Sequence, residues 1–572
     1  MKLLFYFITL VVFVKSICAQ AQNPNLIQIL SNERIYENRK DSFRTIAGNV
    51  IIKQGNTLFK ADSVYINDKL AYNFMEAFGK VYINENDSVV TTAGYLKYYL
   101  ATKKALLKNE VTITNKTGNI TAPELTYDLN SKLATYTNSA TIKSKTSTLT
   151  SKAGQYYSNT KDALFTNNVK LKGTEYDVAT DSLYYNVGTE IANFVTYTKV
   201  TNIAKGQVIE TTRGFYNMRT GNAQFSERSK LEDKTRKVIA DNISINEKAK
   251  KYNLRGKAIF IDYEEKAEYR GEIVDFDKLN ELYHIEGNGM VRNEKENFVI
   301  TGNYLDGDGK SGKFLARGKP VLIIKQDGDS TYITADTLYS NKVNTTKKIV
   351  TDSITKQTTI TFLKNLTELN KPKPKQFLVN NTTDTTLRYF EAFHHVKIYN
   401  DSLQALCDSL YYSDVDSTIR LYKNPIVWNQ NNQITGDTIY LHTRNKKAQL
   451  VEVIERAFVI NKVEPKFFNQ IKGNNLTCYL NDGNLDSLYA RGSAEIIFYI
   501  QDEAKGFVGV DKSAASIINA YFTNREIYKL KWINKYDATT NPMQTTNHNT
   551  MRLRNFNHQF NLRPKSKFEL FF

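Results

Sequence analysis

The feature that most constrains this chain is a phrase that returns at intervals of about 30 residues. Its first example runs Gly48-Asn49-Val50-Ile51-Ile52-Lys53 and, after a polar turn, Leu58-Phe59-Lys60-Ala61-Asp62-Ser63-Val64-Tyr65-Ile66-Asn67. The leading apolar residues of successive phrases are Val50, Val81, Val111, Ala140, Val169, Val200 and Leu231, with steps of 31, 30, 29, 29, 31 and 31. A fixed period of this size marks a stacked array rather than an enzyme domain with one unique site.

Within each phrase the apolar side chains alternate with polar ones, as in a strand with one buried face. The first strand shows this at Val50 and Ile52, with Lys53 on the other face, and the second strand at Val64 and Ile66. The 36 Tyr and 30 Phe, against only 9 Pro, agree with strands. Since each unit offers two such strands, the sequence predicts an all-β fold with two facing sheets and a shared apolar interior.

The N-terminus predicts export. Lys2 precedes an apolar run over residues 3–14, and Ala19-Gln20-Ala21 offers a small-x-small cleavage site. Residues 1–21 are therefore interpreted as a secretory signal peptide, too short for a transmembrane helix. The Ile before Cys18 fits a lipidation signal poorly, and lipidation of Cys18 stays an open alternative. We expect the mature chain to be exported, and either soluble or peripherally attached to a membrane.

The repeats divide the rest of the chain. The predicted organisation is a signal peptide at 1–21, repeats at 22–340, an insertion at 341–388, further repeats at 389–500, a terminal β-hairpin region at 501–544 and a basic disordered tail at 545–572. The insertion is rich in Thr, Lys and Asn and interrupts the period, which is typical of a long loop. Whether it folds stays open.

Recurring acids are the most conspicuous candidates for chemistry. They are Asp62, Asp181, Asp241, Asp336, Asp408 and Asp437. An enzyme needs an acid–base pair in a unique environment, whereas an acid that recurs in register favours a turn role on nearby backbone N–H groups. His394-His395 lacks further metal ligands nearby, and Asp306-Gly307-Asp308 favours a hairpin turn over a calcium loop. The sequence contains no nucleophile elbow, P-loop or His-Glu-x-x-His, so we expect no enzyme.

The positive net charge favours an anionic partner. Formal net charge is +18, with Lys2 and Lys15 of the leader included. A basic surface suits phosphorylated lipid, acidic glycan or nucleic acid, although it also serves general solubility. The leader, and the lack of an Arg-rich recognition helix, argue against nucleic acid. For Cys407 and Cys478, a disulfide and two buried small apolar residues are both open.

The repeated phrase resembles the OstA-like repeat of the lipopolysaccharide-transport proteins. Gly48-Asn49-Val50 with Ala61-Asp62, and Lys80-Val81 with Ala93-Gly94, carry the likeness best, and it covers most of residues 45–500. It implies an antiparallel β-jellyroll, open along one side, whose apolar interior holds lipid A acyl chains. It also implies a periplasmic location and end-to-end strand addition with other lipopolysaccharide-transport proteins. In length the chain is closer to the long OstA-like proteins of Bacteroidota than to the short bridge proteins.

The resemblance assigns the inward strand positions to lipid binding. The expected groove-lining residues are Val50, Ile52, Val64, Ile66, Val81, Ile83, Val111, Ile113, Ile142, Val169, Leu171, Leu183, Val321, Ile323, Val396 and Ile398. The protein is then a periplasmic lipopolysaccharide-binding bridge with no catalytic residue, cofactor or metal. A structural or adhesive β-solenoid with a filled core is the main alternative, because it has the same lining. A polysaccharide-active β-helix enzyme would need a local cluster of acids or Arg, which the sequence lacks.

Overall fold

The computed structural model describes most of the chain beyond the leader. The described residues are 28–343 and 387–571, with breaks at 55–56, 68–73, 86–88, 100, 116–117, 129, 145–146, 158, 175, 187, 327–328, 445–446, 482–483, 505 and 524–525, together with 349–350 and 359–360. The predicted signal peptide, Cys18 and most of the predicted insertion lie outside the described residues. Within the insertion, Ile349–Val350 pairs antiparallel with Thr359–Ile360.

Two compact units divide the chain, Met1–Leu279 and Asn280–Phe572. Unit 1 contains β1 (Gln28–Ser31), β2 (Arg34–Asn38), β3 (Phe43–Gln54), β4 (Thr57–Asn67), β5 (Phe74–Glu85), β6 (Val89–Tyr99), β7 (Lys104–Asn115), β8 (Gly118–Asp128), β9 (Leu133–Tyr136), β10 (Ala140–Ser144), β11 (Ser147–Ser151), β12 (Ala153–Tyr157), β13 (Asp162–Gly173), β14 (Tyr176–Asn186), β15 (Ile191–Phe194), β16 (Thr198–Asn202), β17 (Gln207–Thr211), β18 (Gly214–Asn217), β19 (Ala223–Phe225), β20 (Ser229–Glu232), β21 (Arg236–Ala240), β22 (Asn242–Asn246), β23 (Lys251–Asp262) and β24 (Ala267–Asp277).

Unit 2 is also built from β-strands. It contains β25 (Leu282–Asn293), β26 (Phe298–Asp308), β27 (Lys313–Arg317), β28 (Val321–Gln326), β29 (Asp329–Thr334), β30 (Thr337–Lys342), β31 (Ile349–Val350), β32 (Thr359–Ile360), β33 (Arg388–Tyr399), β34 (Leu403–Ser413), β35 (Thr418–Tyr422), β36 (Ile426–Asn429), β37 (Asn432–Thr435), β38 (Thr438–Arg444), β39 (Lys447–Lys462), β40 (Phe468–Asn481), β41 (Asn484–Gln501), β42 (Phe507–Thr523), β43 (Glu526–Ile533) and β44 (Asp537–Pro542), with 3₁₀ turns at Phe560–Leu562 and Lys567–Leu570.

Each long strand is bent once, and the bend divides its unit into two half-sheets. In β3, residues Phe43–Ala47 pair antiparallel with the end of β4, whereas Val50–Gln54 pair with its start, and the register shifts between Ala47 and Val50. We name the half-sheet that contains Phe43–Ala47 half-sheet A, and the one that contains Val50–Gln54 half-sheet B. The bends form a corner along the array, and the opposite edge, at the strand ends, is the mouth.

The corner is built from residues with left-handed backbone. Consecutive left-handed pairs occur at Gly48-Asn49, Gly79-Lys80, Asn109-Glu110, Asn167-Asn168, Gly256-Lys257, Gly287-Asn288, Gly318-Lys319, His394-His395, Lys423-Asn424, Glu455-Arg456, Gly492-Ser493 and Asn534-Lys535. Extra residues of this kind make a β-bulge that bends the strand sharply. At Gly79 (φ 65°) a Cβ atom would lie 2.2 Å from Oδ2 of Asp62, so this corner position has no room for a side chain.

The recurring aspartates lie at this corner. Asp181 accepts a hydrogen bond from the backbone N–H of Asn168 at 3.3 Å, the turn role expected for the set. Asp336 and Asp408 instead contact the imidazole rings of His395 and His394 at 2.9 and 3.2 Å. The neighbouring Ser, Lys and His groups hold the pKa of Asp408 well below its usual range. The series therefore belongs to the corner rather than to a reaction centre.

The two half-sheets face each other across an apolar interior. In unit 1, Phe260 of half-sheet B lies 5.1 Å from Tyr252 and 4.6 Å from Phe276 of half-sheet A, measured between ring centroids. Strand pairings among the described residues of each unit run within a half-sheet, and none joins the half-sheets at the mouth. The predicted class, an all-β antiparallel jellyroll of two facing, open-edged sheets, is confirmed.

The C-terminal region differs from its prediction in one part. Strand β42 pairs with β43 in the hairpin expected there. The stretch expected as a basic disordered tail is instead ordered, and residues 545–571 form what we name the C-terminal strap. Gln470 bonds the strap through Met551 and Leu553, and Gln433 bonds it through Asn557 and Gln559. No helix among the described residues is long and apolar enough to cross a membrane.

Candidate functional site in the interior between the half-sheets

The predicted lining residues of unit 1 face the interior. Ten are buried: Val50, Val64, Val81, Ile83, Val111, Ile113, Ile142, Val169, Leu171 and Leu183. Ile52 and Ile66 are half-buried. In each complete phrase the residue directly after the left-handed pair points inward, as Val50 does after Asn49. The interior is therefore a continuous apolar surface that runs from strand to strand.

In unit 2, two of the four predicted lining residues lie on the inner face of the sheet and two lie on its outer face. Val396 and Ile398 are buried inward residues that pair with Cys407 and Ala405. Val321 pairs with Thr334, which pairs with the outward Lys397, so Val321 lies on the outer face.

Ile323 shares that outer face, because side chains on one strand alternate. The inward residues are Leu322, which pairs with Ile333, and its alternate neighbours. A slip of one residue moves the whole set to the opposite face of a sheet. Val321 and Ile323 therefore leave the candidate site.

The interior of unit 1 is layered from corner to mouth. Next to the corner lie buried hydroxyl side chains that bond one another. Thr198 donates to Thr180 at 2.8 Å, Ser229 donates to Thr211 at 2.8 Å, and Ser151 lies 2.6 Å from the Tyr136 hydroxyl. These hydroxyls are satisfied within the protein, which is what burial of a polar group requires. The aliphatic columns follow them toward the mouth.

A column of tyrosines lies on the inner face of half-sheet A, beyond the aliphatic residues. Its members are Tyr98, Tyr127, Tyr156, Tyr185 and Tyr216, all buried, and separated in the chain by 29, 29, 29 and 31 residues. Each pairs across the strands with alanine, as Tyr156 does with Ala134 and Ala163. This column was missing from the predicted site, although the recurring Leu-x-Tyr of alternate strands is its signal. It gives the interior a regular alternation of large and small side chains.

Two hydroxyls of the tyrosine column have no hydrogen-bond partner among the described residues. They belong to Tyr156 and Tyr185, and each oxygen is buried. Burial raises the pKa of both phenols above the usual value, with smaller contributions from Asp162 near Tyr156 and Glu190 near Tyr185. Both groups are therefore neutral hydrogen-bond donors at the level where the apolar interior meets the charged mouth.

Ion pairs close part of the mouth in unit 1. Arg236, at the start of β21 in half-sheet B, reaches Glu247 at the end of β22 in half-sheet A, with 3.1 Å between Nη2 and Oε2. Arg236 also contacts Asp233 at 3.3 Å and lies 4.9 Å from the Tyr252 ring centroid. The second link joins Lys278 to the buried Asp262 at 3.1 Å. Side chains rather than backbone pairing thus hold the half-sheets together here.

Beneath these ion pairs, aromatic rings fill the interior. Phe260 contacts Tyr252 and Phe276, and Tyr269 lies 5.1 Å from Phe276 between ring centroids. Phe260 is fully buried. This cluster occupies the strands β22–β24, whereas the Tyr–Ala alternation occupies β6–β19. Unit 1 therefore has a filled segment and a segment with smaller side chains between its tyrosines.

A comparable link lies at the mouth of unit 2. Arg388, at the start of β33, makes a two-pronged contact with Glu296 at 2.7 and 3.1 Å. Several inner residues of half-sheet A near it are half-buried rather than buried. They are Phe390, Tyr412, Ile419, Leu441 and Val451. The interior of unit 2 is thus less tightly covered at this level than the tyrosine column of unit 1.

The cysteines and the histidine pair show no catalytic arrangement. Cys407 and Cys478 are buried and not bonded to each other, and burial raises the pKa of both thiols to about 12. That makes them small apolar residues, one of the two alternatives for them. Among the described residues, no three His, Cys, Asp or Glu side chains are grouped as a metal site requires. His394 and His395 each contact a corner aspartate.

The chain is similar to known proteins over part of its length. No curated protein matches the chain. Among solved structures, LptH of Pseudomonas aeruginosa matches over 18% of this chain and 76% of its own, with 14% identity and a TM-score of 0.17. LptH is described as the LptA-homologous periplasmic component of the lipopolysaccharide transport device. The family model of the OstA-like proteins matches residues 26–181, strands β1–β13 and the start of β14. The resemblance carried by the repeat is thereby confirmed, and residues 26–181 match the OstA-like family.

Proposed function

We propose that this chain is a periplasmic bridge protein that holds the acyl chains of lipopolysaccharide between its half-sheets on the way to the outer membrane. One observation carries the proposal. Apolar inner faces run from strand to strand, yet among the described residues the half-sheets are joined by backbone only at the corner. Side-chain contacts such as Arg236–Glu247 close the mouth, so the interior opens without loss of strand pairing. The match to the OstA-like family supports the same function.

In the proposed function no covalent bond is made or broken. Lipid moves along the apolar interior, while basic residues near the mouth meet its phosphates. The net charge of +18 suits an anionic cargo. Catalysis, a cofactor and a metal have no part in this proposal.

The ends of the array are the proposed contacts with other transport proteins. Among the described residues, β1 and β2 pair only with β3, and β43 and β44 pair only with β42. Ile35 and Tyr36 of β2 are 53% and 60% exposed. Unpaired edge strands accept a further strand from a partner. End-to-end strand addition would extend the same interior.

The experiment for cargo binding uses the purified mature protein with a photo-crosslinking residue. Ile113 is a buried inner residue, and its neighbour Thr112 lies on the outer face of the same strand. With lipopolysaccharide present, we expect an adduct at position 113 and much less at position 112. The same comparison applies to Ile52 and Lys53, so that two strands test one lining.

A second candidate is a structural solenoid with a filled interior, and the aromatic cluster around Phe260 favours it locally. Equal labelling at positions 113 and 112, or none at either position in a folded protein, would contradict the transport function and select this candidate. Circular dichroism of each labelled variant establishes that the protein is folded.

A further inference from the structure

The tyrosine column contains an unexplained pair of polar groups. The Tyr156 and Tyr185 side chains are 8% and 2% exposed, and their hydroxyls bond to nothing among the described residues. The buried hydroxyls of Thr198, Ser229 and Ser151 beside the corner, in contrast, have partners within the protein. A buried hydroxyl without a partner costs free energy that phenylalanine at the same position would not cost. The pair is therefore a candidate for bonding to a ligand.

The surroundings of the pair restrict the ligand. Tyr156 and Tyr185 both pair with Ala163, which lies on the strand between them. Since neighbouring strands are about 4.8 Å apart, the two rings stand roughly 10 Å apart with a small side chain between them. On the corner side the lining is apolar, with Phe165 and Leu183 buried beside the pair. On the mouth side the charged Asp162 and Glu190 act on the phenols.

We propose that Tyr156 and Tyr185 donate hydrogen bonds to the carbonyl groups that attach acyl chains to a polar head group, so that the ligand class is a lipid with several ester- or amide-linked chains. This rests on the proposed function, since it requires lipid in the interior. The chains lie on the apolar, corner side of the column and the head group lies at the mouth. The carbonyl groups fall at the boundary, where a neutral donor is needed and a charged one would be costly to bury.

The test uses the full mature protein and two defined lipids. One is a phosphatidylglycerol with two ester-linked chains, and the other is its diether analogue with the same chains but no carbonyl groups. We expect wild type to bind the ester lipid more tightly, by roughly fivefold for each hydroxyl and roughly 25-fold for both. The double variant Tyr156→Phe/Tyr185→Phe should bind the two lipids equally. Tyr157→Phe, on the outer face of the same strand, should keep the wild-type preference.

The outcomes separate this inference from the proposed function. If wild type binds neither lipid, this inference is overturned, whereas the proposed function is decided separately by the lipopolysaccharide adduct at position 113. If both lipids bind wild type equally, or if the double variant keeps the preference for the ester lipid, only the inference is overturned. Thermal unfolding without lipid gives a second measurement. Because phenylalanine removes an unpaired buried hydroxyl, the double variant should be as stable as wild type or more stable. A clear loss of stability would show that these hydroxyls already have a structural role, and would also overturn the inference.

Discussion

Removal of residues 550–572 is expected to expose an apolar surface on unit 2 and to make the protein bind hydrophobic dyes and self-associate. The C-terminal strap covers the outer face of half-sheet B, where Ile460, Phe468, Ile497 and Tyr499 are all at most 7% exposed. Leu553 of the strap is packed into this cluster. Burial of each side chain of this size is worth about 1.5–3 kcal/mol. Without the strap these side chains would form a contiguous exposed apolar patch, the kind of surface that favours association.

A point substitution tests the same contact in the complete chain. Leu553→Asp places an unpaired charge in the apolar cluster and should detach the strap. Arg554→Asp introduces the same group at the neighbouring exposed position and should change little. Fluorescence of 1-anilinonaphthalene-8-sulfonate and size-exclusion chromatography measure the exposed surface and the association. If Leu553→Asp and Arg554→Asp behave alike, the strap does not protect this face.

Arg236→Met is expected to lower the free energy of unfolding of unit 1 by about 3 kcal/mol, because it leaves two carboxylates at the mouth without their common partner. Arg236 is 6% exposed and contacts both Asp233 and Glu247. This loss is at the low end of the range of about 3–5 kcal/mol for breaking a buried ion pair. Glu247 keeps its 2.7 Å contact with Lys250, so its charge is still partly compensated. Urea unfolding followed by circular dichroism measures the loss.

The double variant Arg236→Met/Glu247→Leu is the matched control. Replacing both partners by apolar groups of similar volume is often neutral, whereas removing one partner is costly. The double variant should therefore recover much of the lost stability. If it is less stable than Arg236→Met alone, the ion pair is not the source of the effect.

The same ion pairs predict a pH dependence. Burial by itself raises the pKa of Asp233 and Glu247, but hydrogen bonds and the Arg236 charge outweigh it and lower both values. Carboxylates with a lowered folded pKa contribute stability above their unfolded values of about 4, and that contribution is lost as pH falls through the folded values. The difference between wild type and Arg236→Met should therefore be largest near pH 7 and shrink on acidification below about pH 4. A constant difference across that range would contradict the assignment.

The sequence predicted the array because period and alternation are both local signals. Val50, Val81 and Val111 each follow a left-handed pair, and each points inward as expected. The prediction failed at Val321 because Val321-Leu322-Ile323-Ile324 is apolar on both faces and alternation gives no register. The strap also reaches the outer face of this stretch, where Phe571 lies 6.5 Å from the ring of Tyr332, the residue that pairs with Ile323. Counting from the corner pair Gly318-Lys319 would have set the register correctly.

The C-terminal strap could not be predicted from the repeat period or from the alternation of apolar residues. It crosses the strands instead of joining them, so its sequence has no period of two. Its bonds use backbone groups, as when Gln470 accepts from the Leu553 N–H and donates to the Met551 carbonyl. In the sequence, a glutamine such as Gln470 gives no sign that a segment covers it. In the structure, its burial and its two hydrogen bonds show the contact with the strap. The tyrosine column is missed for a different reason, because Tyr98 and Tyr127 stand at inward strand positions where a tyrosine is typical of an ordinary packed core.

The left-handed corner has a mechanical consequence. Strand hydrogen bonds run along the array, so stretching or bending it lengthwise would break them. Changing the angle between the half-sheets alters backbone torsions at positions such as Gly79-Lys80 and side-chain contacts between the half-sheets, such as Arg236–Glu247, but leaves the strand ladders intact. Each unit is thus stiff along its ladder of strands and compliant across it. Under the proposed function, the cross-section of a unit would adjust to the number of hydrocarbon chains inside it while the spacing between its neighbouring strands stays constant.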